Sequence, residues 1–178
     1  METCEINLDD KIEVYRCFVG NSKIVYLKAT MATYLELGRR LHATYGCSVI
    51  CVLGFGSIEN DKNIIDDFIS RHHIADAELF YFSHAQGCSD GLELASCGVP
   101  FKKMVLVNMP ITDAFDATVG RLKEILDTRV VAIFAERERS FEGVLLLKDK
   151  GLPNVEILTS KDVYHSHKIV IDAFKELE

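Results

Sequence analysis

Two kinds of apolar pattern alternate along this chain almost from end to end. Residues 48–53 (SVICVL), 103–108 (KMVLVN) and 129–135 (RVVAIFA) are continuous apolar runs rich in β-branched side chains. Runs of that kind predict strands covered on both faces, as in a parallel sheet. Residues 78–82 (ELFYF) and 155–158 are shorter runs read the same way, and 23–27 (KIVYL) reads as a half-buried strand. Residues 14–18 alternate briefly, and the Gly20-Asn21 turn that follows predicts an N-terminal hairpin of 14–18 with 23–27. Between these runs the apolar residues recur at helical spacing. The first such stretch, 31–45, carries Leu35, Leu37, Leu41 and Tyr45 and is closed by Gly46 at the position of a C-cap. Further helices are predicted over 62–71, 86–96 (closed by Gly98 and Pro100), 115–126, 141–150 and 167–177.

Strand and helix in regular alternation specify an α/β architecture: a three-layer sandwich around a mostly parallel, doubly wound sheet, with the N-terminal hairpin at its start. No linker or repeat interrupts the pattern, so one domain over residues 1–178 is expected. Ligands of such sheets bind at the carboxyl ends of the strands. That narrows the search for chemistry to four loops, 28–31, 83–87, 135–140 and 160–166.

Composition limits the partners. The chain has 178 residues, 48% hydrophobic and 26% charged, with a net charge of −7 and no run of Lys or Arg longer than a pair. Phosphate backbones are bound by clustered cations, so no nucleic acid is expected as a partner. Apolar runs such as 104–107 and 130–135 stop well short of the ~20 residues of a membrane helix, so no membrane association is expected either. The start, METCEINLDDKIEV, is acidic and has no apolar core of a secretory signal, which points to the cytoplasm. The six cysteines, Cys4, Cys17, Cys47, Cys51, Cys88 and Cys97, form no CxxC, and Cys47 and Cys51 have no second pair of ligands nearby. Buried free thiols are therefore expected, with Cys47, Cys51, Cys88 and Cys97 packing in or beside the core, and no metal and no cofactor. His72-His73 reads as surface at a helix end.

The sharpest local signal is the segment 78–88, ELFYFSHAQGC, a hydrophobic strand that enters a helix through small residues. It resembles the nucleophile elbow of the α/β-hydrolase superfamily, whose pattern is G-x-S-x-G on a strained strand-to-helix turn. Ser83 takes the first glycine position, Ala85 the nucleophile position and Gly87 the last glycine position. In that family the N–H after the nucleophile, here that of Gln86, faces the developing oxyanion, and a His-Gly loop after an early strand supplies the second donor. Lys28-Ala29 stands in place of His-Gly, leaving the N–H of Thr30 or Met31 as the matching donor. Gly54-Phe55-Gly56-Ser57 resembles the family's glycine turn after the next strand; as a dinucleotide fingerprint it fails, because Glu59 occupies the third glycine position.

The resemblance also implies an acid and a base, in the order nucleophile, Asp or Glu, His. Glu138, with Glu136 second, falls where the carboxylate would orient a histidine, although Glu-Arg-Glu-Arg is equally the composition of a solvated, internally paired loop. His165 is favoured as the base, because Ser166 makes a good N-cap and would put His165 in the loop; His167 is the alternative. His84 is expected to pack into the fold, and Cys88 to be a buried helix cysteine rather than a substitute nucleophile.

An alanine methyl can neither attack an acyl group nor relay a proton. The resemblance therefore implies a lidless relative of carboxylesterases and thioesterases, impaired or inactive as written. The missing lid is inferred from the direct passage from Met109-Pro110-Ile111 into the next helix. Either a serine has been replaced in an otherwise intact enzyme, or this is a natural pseudoenzyme; Lys28-Ala29 favours the second, and the occupied histidine and carboxylate positions favour the first. A small acyl ester is the expected ligand of the shallow cleft. The alternative is a binding or scaffold protein that uses the cleft or a sheet edge to hold a partner, including a second copy of itself as a homo-oligomer.

Overall fold

The computed structural model describes residues 1–8, 11–31, 33–54, 56–111, 114–161 and 167–178. Among them, eight strands form one sheet: β1 (Glu2–Leu8), β2 (Lys11–Phe18), β3 (Asn21–Ala29), β4 (Cys47–Leu53), β5 (Glu78–His84), β6 (Phe101–Val107), β7 (Arg129–Ala135) and β8 (Val155–Ser160). Their order across the sheet is β1-β2-β4-β3-β5-β6-β7-β8. The strands from β3 to β8 run parallel, and β1 and β2 add an antiparallel edge. The connecting helices are α1 (Thr33–Tyr45), α2 (Ile58–Arg71), α3 (Gln86–Ser96), α4 (Phe115–Glu124), α5 (Gly143–Asp149) and α6 (Lys168–Ala173). None of the described helices is long and apolar enough to cross a membrane.

Alternation along each central strand builds the three layers. On one face Ile24, Tyr26, Tyr81, Met104 and Phe134 meet apolar residues of α2, α3, α4 and α5. On the other, Val25, Leu27, Phe80, Phe82 and Ile133 meet Leu37 and Leu41 of α1 and Val170 and Phe174 at the end of the chain. Because both faces are covered, these strands need the unbroken apolar runs that mark them in the sequence.

The N-terminal hairpin exists, but between different strands from those the sequence pointed to. β2 pairs with β1 on one side and, through residues 16 to 18, with residues 49 to 51 of β4 on the other; β3 lies beyond β4 and pairs with β4 and β5. The reason lies at the Gly20-Asn21 turn. The Gly20 N–H donates to Ser48 Oγ (2.9 Å) and the Asn21 N–H to the Gly46 carbonyl (2.9 Å), so the start of β4 draws the chain away from β2. A Cβ on Gly20 would stand 2.2 Å from the Gly46 carbonyl oxygen, so this approach requires glycine.

Two of the predicted helices are part α-helix and part 3₁₀ turn. The span 141–150 divides into a 3₁₀ turn (Arg139–Glu142) and α5, with Gly143 at the junction, and the last helix gives way after Ala173 to a second 3₁₀ turn (Lys175–Leu177). The N-cap of α6 is His167, in a left-handed conformation (φ 49°), rather than Ser166, which lies outside the described residues.

Candidate active site

At the carboxyl end of β5 the chain reverses into α3 through Ala85, whose φ of 51° and ψ of −120° lie in a region that non-glycine residues rarely occupy. Such a conformation costs about 1–3 kcal/mol and persists only where its surroundings over-determine it. Here they do. The Ala85 N–H donates to the Val107 carbonyl (2.9 Å), the Ala85 carbonyl accepts from the Cys88 N–H (3.0 Å), and the Tyr81 hydroxyl donates to the Gly87 carbonyl (2.7 Å). Gly87 fits because a Cβ there would come within 3.0 Å of the Ser83 Cβ and 3.1 Å of the Lys28 carbonyl oxygen. Gln86 opens α3, so its N–H has no acceptor within the helix.

The neighbours of this turn are aromatic and polar. His84 is half-buried, and its Nε2 stands 3.4 Å from Asn108 Nδ2. Asn108 follows β6 directly, with φ 50°, and accepts the Ala135 N–H on its Oδ1 (2.8 Å), so one side chain ties the ends of β5, β6 and β7 together. The Tyr34 ring lies beside Phe82, His84 and His167 (centroids 5.4, 5.8 and 6.1 Å). Burial lowers the pKa of His84, partly offset by the Glu138 carboxylate; burial and then Arg40 lower that of His167, partly offset by Glu36. Both shifts favour the neutral imidazole.

Beneath the turn lies a cluster of charges. Lys28, fully buried, sets its ammonium 2.5 Å from Asp61 Oδ2 and 3.0 Å from Asp90 Oδ2, and the Tyr26 hydroxyl donates to Asp61 Oδ1 (2.6 Å). Burial pushes the Asp61 carboxyl up, against the hydrogen bonds from Lys28 and Tyr26 that pull it down. The side chain at the His-Gly position is thus part of the packed interior.

Folds of this topology are known. The chain superposes on the thioesterase domain from the curacin biosynthetic pathway with a TM-score of 0.70 at 11% identity, over 99% of this chain and 98% of that one. A cold-adapted esterase from an Arctic intertidal metagenomic library gives 0.75 at 11% identity (98% and 92%), and a putative α/β hydrolase from Agrobacterium tumefaciens gives 0.69 at 12% (98% and 94%). The chain has the α/β-hydrolase fold. At these identities the likeness is one of fold; no protein-family model and no curated protein sequence matches the chain.

Within the α/β-hydrolase fold, the residues singled out in the sequence are distributed unevenly. Ala85 is the apex of the strained turn, with Gln86 exposed beside it. Thr30 and Met31 are exposed just past β3. Glu136 and Glu138 lie in the exposed loop after β7, their N–H groups bonded to the Ser160 and Ala135 carbonyls (2.9 and 3.0 Å); Glu138 is close enough to His84 to shift it. His167 packs against Tyr34 near α1, and His165 lies outside the described residues. Cys88 is fully buried, its thiol pushed up to about 12 by burial, which leaves it unreactive. Cys97, expected to pack in the core, is exposed at the C-cap of α3. Tyr34, Asn108, Asp61 and Asp90 were not singled out. Only Asn108 carried a local signal, as an asparagine able to take the left-handed turn after a strand. A surface cavity of about 420 Å³ among Lys62, Ile65, Ile69, Leu79 and Pro100 opens near the amino end of β5, away from the turn, and takes no part in this arrangement.

Proposed function

We propose that the protein is a relative of ester and thioester hydrolases whose strand-end cleft no longer performs acyl transfer. The observation that carries the reading is the backbone at Ala85: a conformation that presents a side chain above the end of a sheet, held by three hydrogen bonds, with a methyl group at its apex. Without a hydroxyl or thiol there, no acyl-enzyme can form, and the catalytic advantage of the other groups falls away because such residues act as a unit. The Gln86 N–H at the start of α3 still favours a carbonyl or carboxylate oxygen placed over the turn. His165 or His167 is the base position of this reading, and Glu138, with Glu136 second, the carboxylate. The connection from β6 to α4 is short, which supports a lidless, shallow cleft.

A second reading, a binding protein, is favoured by Met31 and Leu53. These apolar side chains are 45% and 42% exposed where β3 and β4 end side by side, Ala29 being paired with Leu53. Hydrolysis of p-nitrophenyl acetate and butyrate by the protein, by Ala85→Ser and by Ala85→Ser with His165→Ala separates the two. The hydrolase reading expects background turnover for the protein, a gain on the order of 10²-fold for Ala85→Ser, and its loss in the double variant. Background rates for all three leave the binding reading.

A further inference from the structure

At the opposite edge of the sheet, four side chains from three elements converge. β1 contributes Glu2 and Cys4, β2 contributes Cys17, and the C-cap of α2 contributes His72. One donor atom from each lies within 4.8 Å of every other, and the two sulfurs are 3.7 Å apart. We propose that Glu2, Cys4, Cys17 and His72 form a binding site for a single zinc ion that fastens the β1–β2 hairpin to the end of α2.

The geometry carries this in three ways. Two thiolates on one zinc, each ~2.3 Å from the metal at the tetrahedral angle, stand about 3.8 Å apart, which is the separation seen between Cys4 and Cys17. The strand register argues against a disulfide instead. Cys4 is opposite Tyr15 and Cys17 is opposite Glu2, so the two cysteines are diagonal neighbours, whose backbones stand ~7–8 Å apart, beyond the ordinary reach of an S–S bridge. The same register puts Glu2, Cys4 and Cys17 on one face, towards α2. Finally, His72 turns its Nε2 into the interior, where it is shielded from solvent and has no hydrogen-bond partner among the described residues.

The donor set selects the metal class. Two sulfurs and an imidazole nitrogen suit zinc rather than calcium or magnesium, which take oxygen ligands. Asp67 accepts from the Tyr15 hydroxyl (2.6 Å) and from Arg71 (3.1 and 3.2 Å), which fastens the last turns of α2 to β2 beside the cluster. Each thiol transfers its proton to the buffer as its Zn–S bond forms. Position in the fold supplies the role: among the described residues β1 is the outermost strand on its side of the sheet, paired with β2.

The test uses the full chain, stripped with a chelator and kept reduced, then titrated with Co²⁺ and afterwards with Zn²⁺. The expected result is one equivalent of Co²⁺ with thiolate-to-cobalt charge-transfer absorption, displacement by one equivalent of Zn²⁺, and a rise in Tm of about 5 °C or more at saturating zinc. Cys17→Ser should weaken zinc binding about 100-fold or more, and Cys97→Ser should leave it unchanged. Absence of stoichiometric binding, absence of the charge-transfer band, or equal binding by Cys17→Ser overturns the proposal. If Cys17→Ser does not fold, the spectrum and Tm of the unaltered protein decide by themselves.

Discussion

Two polar clusters, one at each end of α2, handle buried charge differently. Under the turn at Ala85, the Lys28 ammonium lies between Asp61 and Asp90, so the chain provides its own cation. At the sheet edge, Glu2, Cys4, Cys17 and His72 bring together thiol, imidazole and carboxylate donors, and by our proposal the compensating cation comes from outside. Both clusters tie α2 to the sheet, one through Asp61 in its first turn and the other through His72 at its C-cap. The difference teaches where stability depends on conditions. An internal ion pair holds at any metal concentration, whereas a metal cluster holds only as far as the ion is supplied.

The largest expected effect tests the internal pair. Lys28→Ala leaves the Asp61 carboxylate buried without its cation and should lower stability by about 3–5 kcal/mol in urea denaturation, while Lys28→Met with Asp61→Leu should lose much less. An equal loss in both would mean that packing, not charge, dominates there. Next comes the metal cluster. At zinc concentrations near 100 times Kd the protein should gain about 2.7 kcal/mol, and Cys17→Ser at the same concentration about 0.4 kcal/mol or less; Lys28→Ala, if it still folds, should keep the zinc increment.

A third test concerns the strained turn beside the lysine cluster. Ala85→Gly removes the penalty of the positive φ but loosens the unfolded chain, so a net stabilisation of about 1 kcal/mol is expected in thermal denaturation. A destabilised Ala85→Gly would mean that the methyl is packed rather than tolerated. The smallest effect belongs to groups kept neutral by burial. His84 and His167 have pKa values below the ordinary histidine value in the fold, so the unfolded chain takes up protons first. Their contribution is complete above about pH 6.5 and declines as the pH falls towards the folded values. Urea midpoints across that interval should fall, and less steeply in His84→Gln.

The region around Ala85 was legible because its signal is local. A hydrophobic strand, a turn of small residues and a helix follow one another within 78–96, and they reappear as β5, Ala85 and α3. The β2–β3 hairpin was misread for the complementary reason. A good turn at Gly20-Asn21 is visible locally, but its hydrogen bonds go to Gly46 and Ser48. Asp61 was not singled out in the sequence, and His72 read as a surface residue at a helix end. Each has meaning only through a partner far away in the chain: Lys28 for Asp61, and Cys4 and Cys17 for His72.

By itself the sequence determined the kinds and order of the elements, because apolar periodicity is a property of neighbouring residues, and it determined that residue 85 has no nucleophilic atom, because that is the chemistry of alanine. Tertiary structure decided which strands pair, what Lys28 is bonded to and which thiols meet a histidine. Those outcomes depend on register and helix placement between distant segments, where the free energy of burying one polar group is set by groups that no local pattern brings near.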